Sequence, residues 1–120
     1  LFYSPSIVRI SVTREASFED FSYSVVAQPE SVTLNHRDTG SVVVLQTEHL
    51  TLEITKNPVR FRFLTPQGVV INEDEPGLGT AWVGEQVTTY KKLQEGERFI
   101  GMGEKTGNLD RKGSSYVQWN

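Results

Sequence analysis

The stretch of sequence that decides the fold reads HLTLEITKNPVRFRFL and occupies positions 49–64. Leucine or isoleucine stands at positions 50, 52 and 54, and valine or phenylalanine stands at 59, 61 and 63, each alternating with polar residues. Such alternation is typical of strands with one face on a core and the other in water. Because Lys56-Asn57-Pro58 between the halves favours a tight turn, residues 49–55 and 59–64 are predicted to form an antiparallel hairpin.

Further strands and turns are predicted on both sides of this hairpin. The apolar run Val42–Gln46 favours a strand buried on both faces. Thr65-Pro66-Gln67-Gly68 suits a type I turn after the hairpin, and Glu73–Gly79 has the composition of a loop. The strands predicted beyond the hairpin are 8–12, 21–25, 42–46, 69–72, one long or two short strands within 81–93, 98–103 and 115–119.

These elements together indicate an all-β fold. No window of ten or more residues carries a helical stripe of apolar residues. About nine short strands with turns every 8–12 residues are typical of an antiparallel β-sandwich. We therefore predict one β-sandwich domain over residues 1–120. Because the chain stops one residue after a strand that reaches Trp119, we expect it to be a fragment truncated at its C-terminal side.

Composition excludes several classes of protein. The chain has 120 residues, of which 37% are hydrophobic and 22% charged, as in an ordinary globular domain rather than a disordered one. Its net charge of −3 argues against a nucleic-acid partner. No apolar run approaches the roughly 20 residues that span a bilayer, so no membrane span is predicted. The lack of cysteine excludes disulfides and thiolate metal sites.

A glycine-rich segment, Gly101–Gly107, is the first candidate for a ligand site. A dinucleotide loop would need glycine at Thr106, and a Walker loop would need glycine at Glu104 directly before Lys105-Thr106. Both patterns also need a helix that is not predicted here. The sequence therefore favours a strand whose glycines allow another backbone or a bulky side chain to approach closely.

Catalytic and metal-binding patterns are not found in the sequence. His36 in a turn-like segment and His49 on a polar strand face are interpreted as solvated side chains, with no metal-ligand spacing. No Gly-x-Ser-x-Gly elbow occurs, and Glu73-Asp74-Glu75 is most simply a solvated acidic loop. We expect no catalytic residue, metal or cofactor in this chain.

The strand aromatics allow two interpretations. Flat apolar rings suit the C–H faces of sugars, so these side chains are candidates for a sugar-stacking platform. Packing in a core or an interface is the other interpretation, because aromatic side chains dominate the burial of small β domains. The residues concerned are Trp82, Tyr90, Phe99, Tyr116 and Trp119.

Residues 99–120 read FIGMGEKTGNLDRKGSSYVQWN. This segment resembles the end of the N-terminal β-sandwich of family 31 glycoside hydrolases, such as α-glucosidases and α-xylosidases. The shared pattern is Gly-x-Gly-Glu-Lys-x-Gly, a short loop with Arg and Gly, and an aromatic strand ending in Trp-Asn. Residues 47–54 and 60–68 are similar to that family's central hairpin, and the resemblance extends from about Val8 to Asn120.

The resemblance implies a galactose-mutarotase-like sandwich, of the supersandwich type, that packs on a (β/α)8 barrel. In that family the barrel supplies an aspartate nucleophile and an aspartate acid for hydrolysis with retention at the α-anomeric carbon, and both would lie beyond this chain. The motif residues are expected to shape the junction with the barrel. They are Gly101, Gly103, Glu104, Lys105, Thr106, Arg111 and Trp119.

The expected function is therefore that of a non-catalytic domain that packs on its own barrel and helps to shape the substrate entrance. The expected partners are that barrel and an oligo- or polysaccharide, and the expected location is the bacterial periplasm or outside the cell. A stand-alone carbohydrate-binding module and an adhesion or structural β-sandwich are the alternatives. The part of the parent gene that follows Asn120 would discriminate between these hypotheses.

Overall fold

The computed structural model describes residues 1–17 and 21–118. All of its regular elements are strands, paired antiparallel, in agreement with the predicted all-β class. They are β1 (Phe2–Ser4), β2 (Ile7–Val8), β3 (Asn35–Asp38), β4 (Val42–Gln46), β5 (Thr51–Lys56), β6 (Val59–Leu64), β7 (Val70–Glu73), β8 (Thr80–Val83) and β9 (Gln86–Thr89).

A five-stranded sheet with the order β3-β4-β5-β6-β7 forms the centre of the molecule. The predicted hairpin is confirmed, because β5 and β6 pair without a break from Thr51 opposite Leu64 to Lys56 opposite Val59. The predicted turn before β7 is also present, with the Gly68 amide donating to the Thr65 carbonyl at 2.9 Å. The hairpin therefore fixes which side chains share a face of the sheet.

The two faces of the central sheet differ in chemistry. One face carries a continuous apolar patch in which paired residues of β4, β5 and β6 lie side by side. The opposite face carries charges: Arg62 lies between Glu53 and Glu73, with N···O distances of 3.3 and 3.4 Å. The residues of the apolar face are Val43, Leu45, Leu52, Ile54, Phe61 and Phe63.

A second layer lies over part of the apolar face. Strands β8 and β9 form a separate hairpin, and a groove of about 340 Å³ lies between this hairpin and the sheet. Phe61 and Phe63 line the groove from the sheet, and Trp82 and Val87 line it from the hairpin. The arrangement is the beginning of a sandwich, since apolar side chains of the hairpin and of the sheet line the two sides of one groove.

Three predicted strands are absent, and one strand lies where a turn was predicted. Residues 21–25, which alternate in sequence, and residues 98–103 and 115–118 lie in irregular backbone, with only isolated pairing at Ile100. The predicted strand at 8–12 is reduced to its first residue, as part of β2. Alternation describes a side-chain pattern only, and a strand also needs a neighbour for its backbone hydrogen bonds. His36 belongs to the exposed edge strand β3 rather than a turn.

One further prediction is corrected in its detail, and another is resolved between its two alternatives. Residues 42–46 form a strand, but all five side chains are half-buried rather than buried on both faces. The segment 81–93 contains two short strands, which was one of the two predicted alternatives. The partial burial of β4 and of the β8–β9 hairpin follows from the incomplete second layer, because each has one face open to solvent.

Gly79 provides a test of the packing between the sheet and the loop before β8. It is buried with φ of +56°, and an added Cβ would lie 2.6 Å from Arg60 Nη1. Gly79→Ala is expected to lower the free energy of unfolding by about 2 kcal/mol, through left-handed strain and through displacement of the Arg60 guanidinium from its hydrogen bonds to the Val59 and Pro76 carbonyls.

The matched control is Gly84→Ala. Gly84 has φ of +62° and no atom within 4 Å of the added Cβ, so only the strain of about 1 kcal/mol applies. Denaturant midpoints of the two variants measure the difference. Equal effects at the two positions would contradict a packing role for Gly79.

Candidate functional site

The glycine-rich motif is held as a closed loop at the C-terminal end of the described chain. The Arg111 amide donates to the Phe99 carbonyl at 2.8 Å, and the Phe99 amide donates to Asp110 Oδ1 at 3.2 Å. Ile100 and Asp110 form an isolated antiparallel bridge. These contacts join the two ends of the loop over residues 101–109, so its shape is set by its own hydrogen bonds.

The glycines at the start of this loop allow the backbone to adopt positive φ angles. Gly101, Met102 and Gly103 have φ of +111°, +69° and +73°, in a region that residues with a Cβ rarely adopt. Among the described residues, no atom lies within 4 Å of a Cβ built on Gly101 or Gly103. Within this part of the chain, the glycines therefore serve the positive φ of the turn rather than the close approach of a neighbour.

Arg111 holds the second half of the loop. Its Nη2 donates to the Lys105 carbonyl at 2.9 Å and its Nη1 donates to the Thr106 carbonyl at 3.1 Å. The guanidinium also lies 5.4 Å from the centre of the Tyr116 ring, with Nη1 3.3 Å from its hydroxyl. A planar cation with fixed donors suits this task, since it binds two carbonyls and an aromatic face at once.

Among the described residues, Gly107 is the motif glycine that faces a close neighbour. An added Cβ would lie 3.3 Å from Arg111 Nη1. Within residues 1–17 and 21–118, the buried Nε of Arg111 has no hydrogen-bond partner. Hydrogen bonds from Ser114 and, next, from Arg111 lower the pKa of Tyr116 below its ordinary value.

The structure brings together only some of the predicted motif residues. Lys105, Thr106 and Arg111 contact one another, and Lys105 Nζ also donates to the Val117 carbonyl at 3.3 Å. Gly101 and Gly103 lie at the other end of the loop. Glu104 is exposed, and its side chain makes no hydrogen bond or ion pair with the part of the chain that the structure describes. Trp119 lies outside the described residues.

Large apolar side chains on this segment are exposed. Leu109 and Val117 are 75% and 69% exposed, which is unusual for two aliphatic side chains so close to a hydrogen-bonded motif. The same segment also exposes Phe99, Ile100 and Met102. An ordered loop with an apolar outer surface has the properties of a docking element rather than of a polar ligand pocket.

Asp110 is the carboxylate of the site that is engaged in structural contacts. Asp110 accepts hydrogen bonds from the backbone amides of Lys112 and Phe99, which lower its pKa. A carboxylate used in this way is a stable anion and not a proton donor at neutral pH. Among the described residues, no three histidine, aspartate or glutamate side chains are grouped to hold a metal ion.

The pKa of Asp110 gives a pH dependence that can be measured. Because the folded-state pKa lies below the ordinary value of 3.8, the stabilisation by Asp110 is complete above that value and is lost as the pH falls towards the folded-state pKa. Asp110→Asn is therefore expected to shift the midpoint of acid unfolding to higher pH. An acid-unfolding curve unchanged by Asp110→Asn would contradict this assignment.

The aromatic side chains considered for a sugar-stacking platform do not stack on one another in the described residues, which exclude Trp119. Within the described part of the chain, the one ring–ring contact joins Phe21 and Tyr23, at 4.7 Å between centroids. Trp82 is half-buried, lines the groove over the sheet and has the Arg14 guanidinium 5.7 Å from its ring centre. This placement favours packing for Trp82 over an open sugar-binding surface.

The acidic stretch Glu73-Asp74-Glu75 is not the solvated loop that was predicted. The Asp74 side chain is 1% exposed, accepts a hydrogen bond from the Phe61 amide at 2.8 Å and pairs with Lys91 Nζ at 2.6 Å. Glu73 ends β7 and pairs with Lys92 at 3.0 Å, and that hydrogen bond is the main cause of its lowered pKa. Sequence gave no signal for these pairs, because their cations lie 17 to 19 positions further along the chain.

Comparison with known proteins adds information that the geometry alone lacks. The family model described as the glycosyl hydrolase 31 N-terminal galactose mutarotase-like domain matches residues 1–120. The α-glucosidase 2 of Bacillus thermoamyloliquefaciens is 34% identical over 99% of this chain, which spans 15% of that enzyme. No helix in the described residues is long and apolar enough to cross a membrane.

Two solved structures of a glycoside hydrolase family 31 dextranase from Flavobacterium johnsoniae are also similar. The complex with glucose superposes with a TM-score of 0.73 at 28% identity, covering 84% of this chain and 13% of the dextranase. A mutant complexed with isomaltotriose gives a TM-score of 0.67 at 30% identity, covering 72% of this chain and 11% of the dextranase. The chain thus corresponds to a small part of each of these larger proteins.

Proposed function

Because the chain belongs to the family of glycosyl hydrolase 31 N-terminal galactose mutarotase-like domains, we propose that it is the non-catalytic N-terminal domain of an α-glycosidase. The observation that carries this proposal is a match over all 120 residues combined with a span of only 15% of the related α-glucosidase. Hydrolysis of α-glycosidic bonds with retention, on an oligo- or polysaccharide, is assigned to a (β/α)8 barrel elsewhere in the parent protein.

Residues 1–120 act in this proposal as one structural unit that packs on the barrel through the motif loop. The hydrogen bonds of Arg111 to the Lys105 and Thr106 carbonyls support such a role, because they order the loop before any partner binds. A preorganised element loses little conformational entropy on docking. The exposed Leu109 and Val117 supply apolar area for the contact.

Shaping of the substrate entrance is the second part of the proposed role. A rigid β scaffold that ends in an ordered loop is a common way to position a functional surface, because the scaffold limits movement of the loop. Gly101, Gly103, Glu104, Lys105, Thr106 and Arg111 are assigned to this junction, with Trp119 added from the sequence motif.

The direct test compares the parent protein with the 120-residue chain on a chromogenic α-glucoside. We expect turnover by the parent and none above buffer by the chain. Turnover by the purified chain would contradict the non-catalytic assignment, and an inactive parent would contradict the α-glycosidase assignment. Binding of oligosaccharide by the chain alone, measured by calorimetry, would favour a carbohydrate-binding module instead.

Arg111 tests the junction within the parent protein. Arg111→Ala removes the hydrogen bonds to both carbonyls, and we expect kcat/KM to fall about tenfold because a displaced loop misplaces the groups that contact substrate. Arg111→Lys is the matched control that keeps the charge but cannot make the forked contact, so we expect an intermediate loss. Unchanged kcat/KM in both variants would contradict the junction role.

A further inference from the structure

A cavity of about 620 Å³ lies at one end of the central sheet. Its walls come from the β1–β2, β4–β5 and β6–β7 turns and from the segment that leads into β3, and not from the motif loop or the β8–β9 hairpin. Ligand pockets in proteins usually have volumes of about 300–1,000 Å³, so this size suits a small organic ligand. The lining residues are Pro5, residues 31–33, Asn35, residues 46–48 and Pro66.

Thr47 fixes the shape of this cavity. It is 5% exposed, and its hydroxyl donates a hydrogen bond to the Pro5 carbonyl. The same oxygen accepts hydrogen bonds from the amides of His49 and Leu50 at 3.2 and 3.0 Å. The β4–β5 turn is thereby tied to the β1–β2 turn, so the cavity is formed before any ligand binds. A preformed site loses less conformational entropy on binding than a site that must first be ordered.

Two amide side chains stand side by side in the cavity. Asn35 of β3 and Gln46 of β4 are directly paired, which places their Cβ atoms about 4.5–5.5 Å apart. Because side chains alternate along a strand and Leu45 belongs to the apolar face, both amides lie on the opposite face of the sheet. A neighbouring cavity of about 220 Å³ is lined by the same two side chains, so the site extends along β3.

The polar groups of the cavity have spare hydrogen-bonding capacity. The lining side chains that make no hydrogen bond with another described residue are Ser31, Thr33, Asn35 and Gln46. Each amide group offers both donors and an acceptor, and each hydroxyl can donate and accept. The exposed carboxylate of Glu48 adds further acceptors at the rim. These groups converge on one space and are available to a ligand.

The lining chemistry indicates a neutral ligand that is rich in hydroxyl groups. Among the described residues, no lysine or arginine lines the cavity, so a phosphate group would find no cation there. Sugar hydroxyls donate and accept hydrogen bonds, and side-chain amides match them because they do both as well. Pro5 and Pro66 add uncharged apolar surface that can lie against the C–H groups of a sugar ring.

We propose that this cavity is a saccharide-binding site, separate from the catalytic site of the barrel, that holds a neutral α-linked oligosaccharide through the amides of Asn35 and Gln46. The lining chemistry supports a saccharide, whereas the choice of an α-linked one rests on the proposed function. A second binding site on the same polypeptide raises the local concentration of a long substrate near the barrel. An open site with a few hydrogen bonds is expected to have a Kd of about 1 mM.

Protection of a thiol in the parent protein tests the proposal. This chain has no cysteine, so Ser31→Cys places a thiol in the cavity, and Ser41→Cys places one at the other end of β4 as the matched control. Both serines are exposed. Site-resolved mass spectrometry measures the alkylation rate of each thiol with maltotriose or isomaltotriose, in samples taken before the parent hydrolyses the sugar. Thr33→Cys is a second reporter in the same cavity.

At about 10 mM of a trisaccharide that binds, we expect Ser31→Cys to react about tenfold more slowly and Ser41→Cys to be unchanged, since ligand then occupies most of the site. Protection of neither cavity reporter by either trisaccharide would overturn the proposal. Thiols at both cavity positions that are already unreactive in the ligand-free parent would overturn it too, because the cavity would then be covered. Equal protection of Ser41→Cys would also contradict a defined site.

A substitution of Gln46 tests the assigned amide. Gln46→Ala, combined with Ser31→Cys, is expected to raise the trisaccharide concentration for half-protection about fivefold, as for the loss of one hydrogen-bonding group. Gln86→Ala, the same substitution at an exposed position of β9, is the control and is expected to leave that concentration unchanged. Equal values for both variants would overturn the role of Gln46.

Two further measurements separate this proposal from its neighbours. Inorganic phosphate at the same concentration is expected to give no protection, and protection by phosphate alone would overturn the neutral ligand class. Protection by a trisaccharide in a parent that does not hydrolyse α-glucosides would contradict the α-glycosidase function and leave this inference intact. An active parent without protection would overturn this inference alone.

Discussion

Leu52→Ala is expected to lower the free energy of unfolding of this domain by about 4 kcal/mol, as for other fully buried leucines. Leu52 is 2% exposed at the centre of the five-stranded sheet, and it lies between Leu45 of β4 and Phe63 of β6. The loss combines the transfer free energy of the side chain with the cavity left between two rigid neighbouring strands. Amide exchange of β5 and β6 in the parent protein measures the opening free energy.

The matched control is Leu78→Ala, the same substitution at a site that is 53% exposed. We expect an effect below about 1 kcal/mol at this position, since little apolar area is lost and no cavity forms. Equal losses at positions 52 and 78 would mean that the core does not lie in the central sheet.

Asp74→Ala is expected to lower the stability by about 3 kcal/mol. The substitution leaves the half-buried Phe61 amide without its side-chain acceptor and removes the partner of Lys91. Lys91 is 37% exposed, so its charge regains water and adds less to the loss. Asp74 therefore stabilises the structure chiefly by joining β6 to the segment that follows β9.

Asp74→Asn separates the two contributions. The amide oxygen of asparagine can still accept from the Phe61 amide, whereas the ion pair with Lys91 is lost, so we expect about 1 kcal/mol. The same amide-exchange measurement, extended to β7, gives both values. If the alanine and asparagine variants were equally destabilised, the hydrogen bond to Phe61 would have no measurable role.

The motif loop illustrates that a motif can be recognised in a sequence without its backbone geometry. The spacing of Gly101 and Gly103 predicted a strand over 98–103, whereas the structure has a loop there. Their physical role is a backbone with positive φ at three consecutive residues, which spacing alone does not reveal. The sequence motif likewise contains Arg111, Lys105 and Thr106 but does not predict how they contact one another. In the structure, Arg111 donates hydrogen bonds to the carbonyls of the other two.

The alternation of apolar and polar residues by itself determined the all-β class, the hairpin of β5 and β6 and the division of the sheet into an apolar and a charged face. These features are local, because side chains alternate along any extended backbone and a short turn sets the register. Burial of Asp74 beside Lys91 was decided by tertiary structure, since the two residues meet only when β7 lies beside the chain after β9. Tertiary structure also decided that residues 21–25 form no strand, because an alternating segment becomes a strand only where another backbone lies beside it.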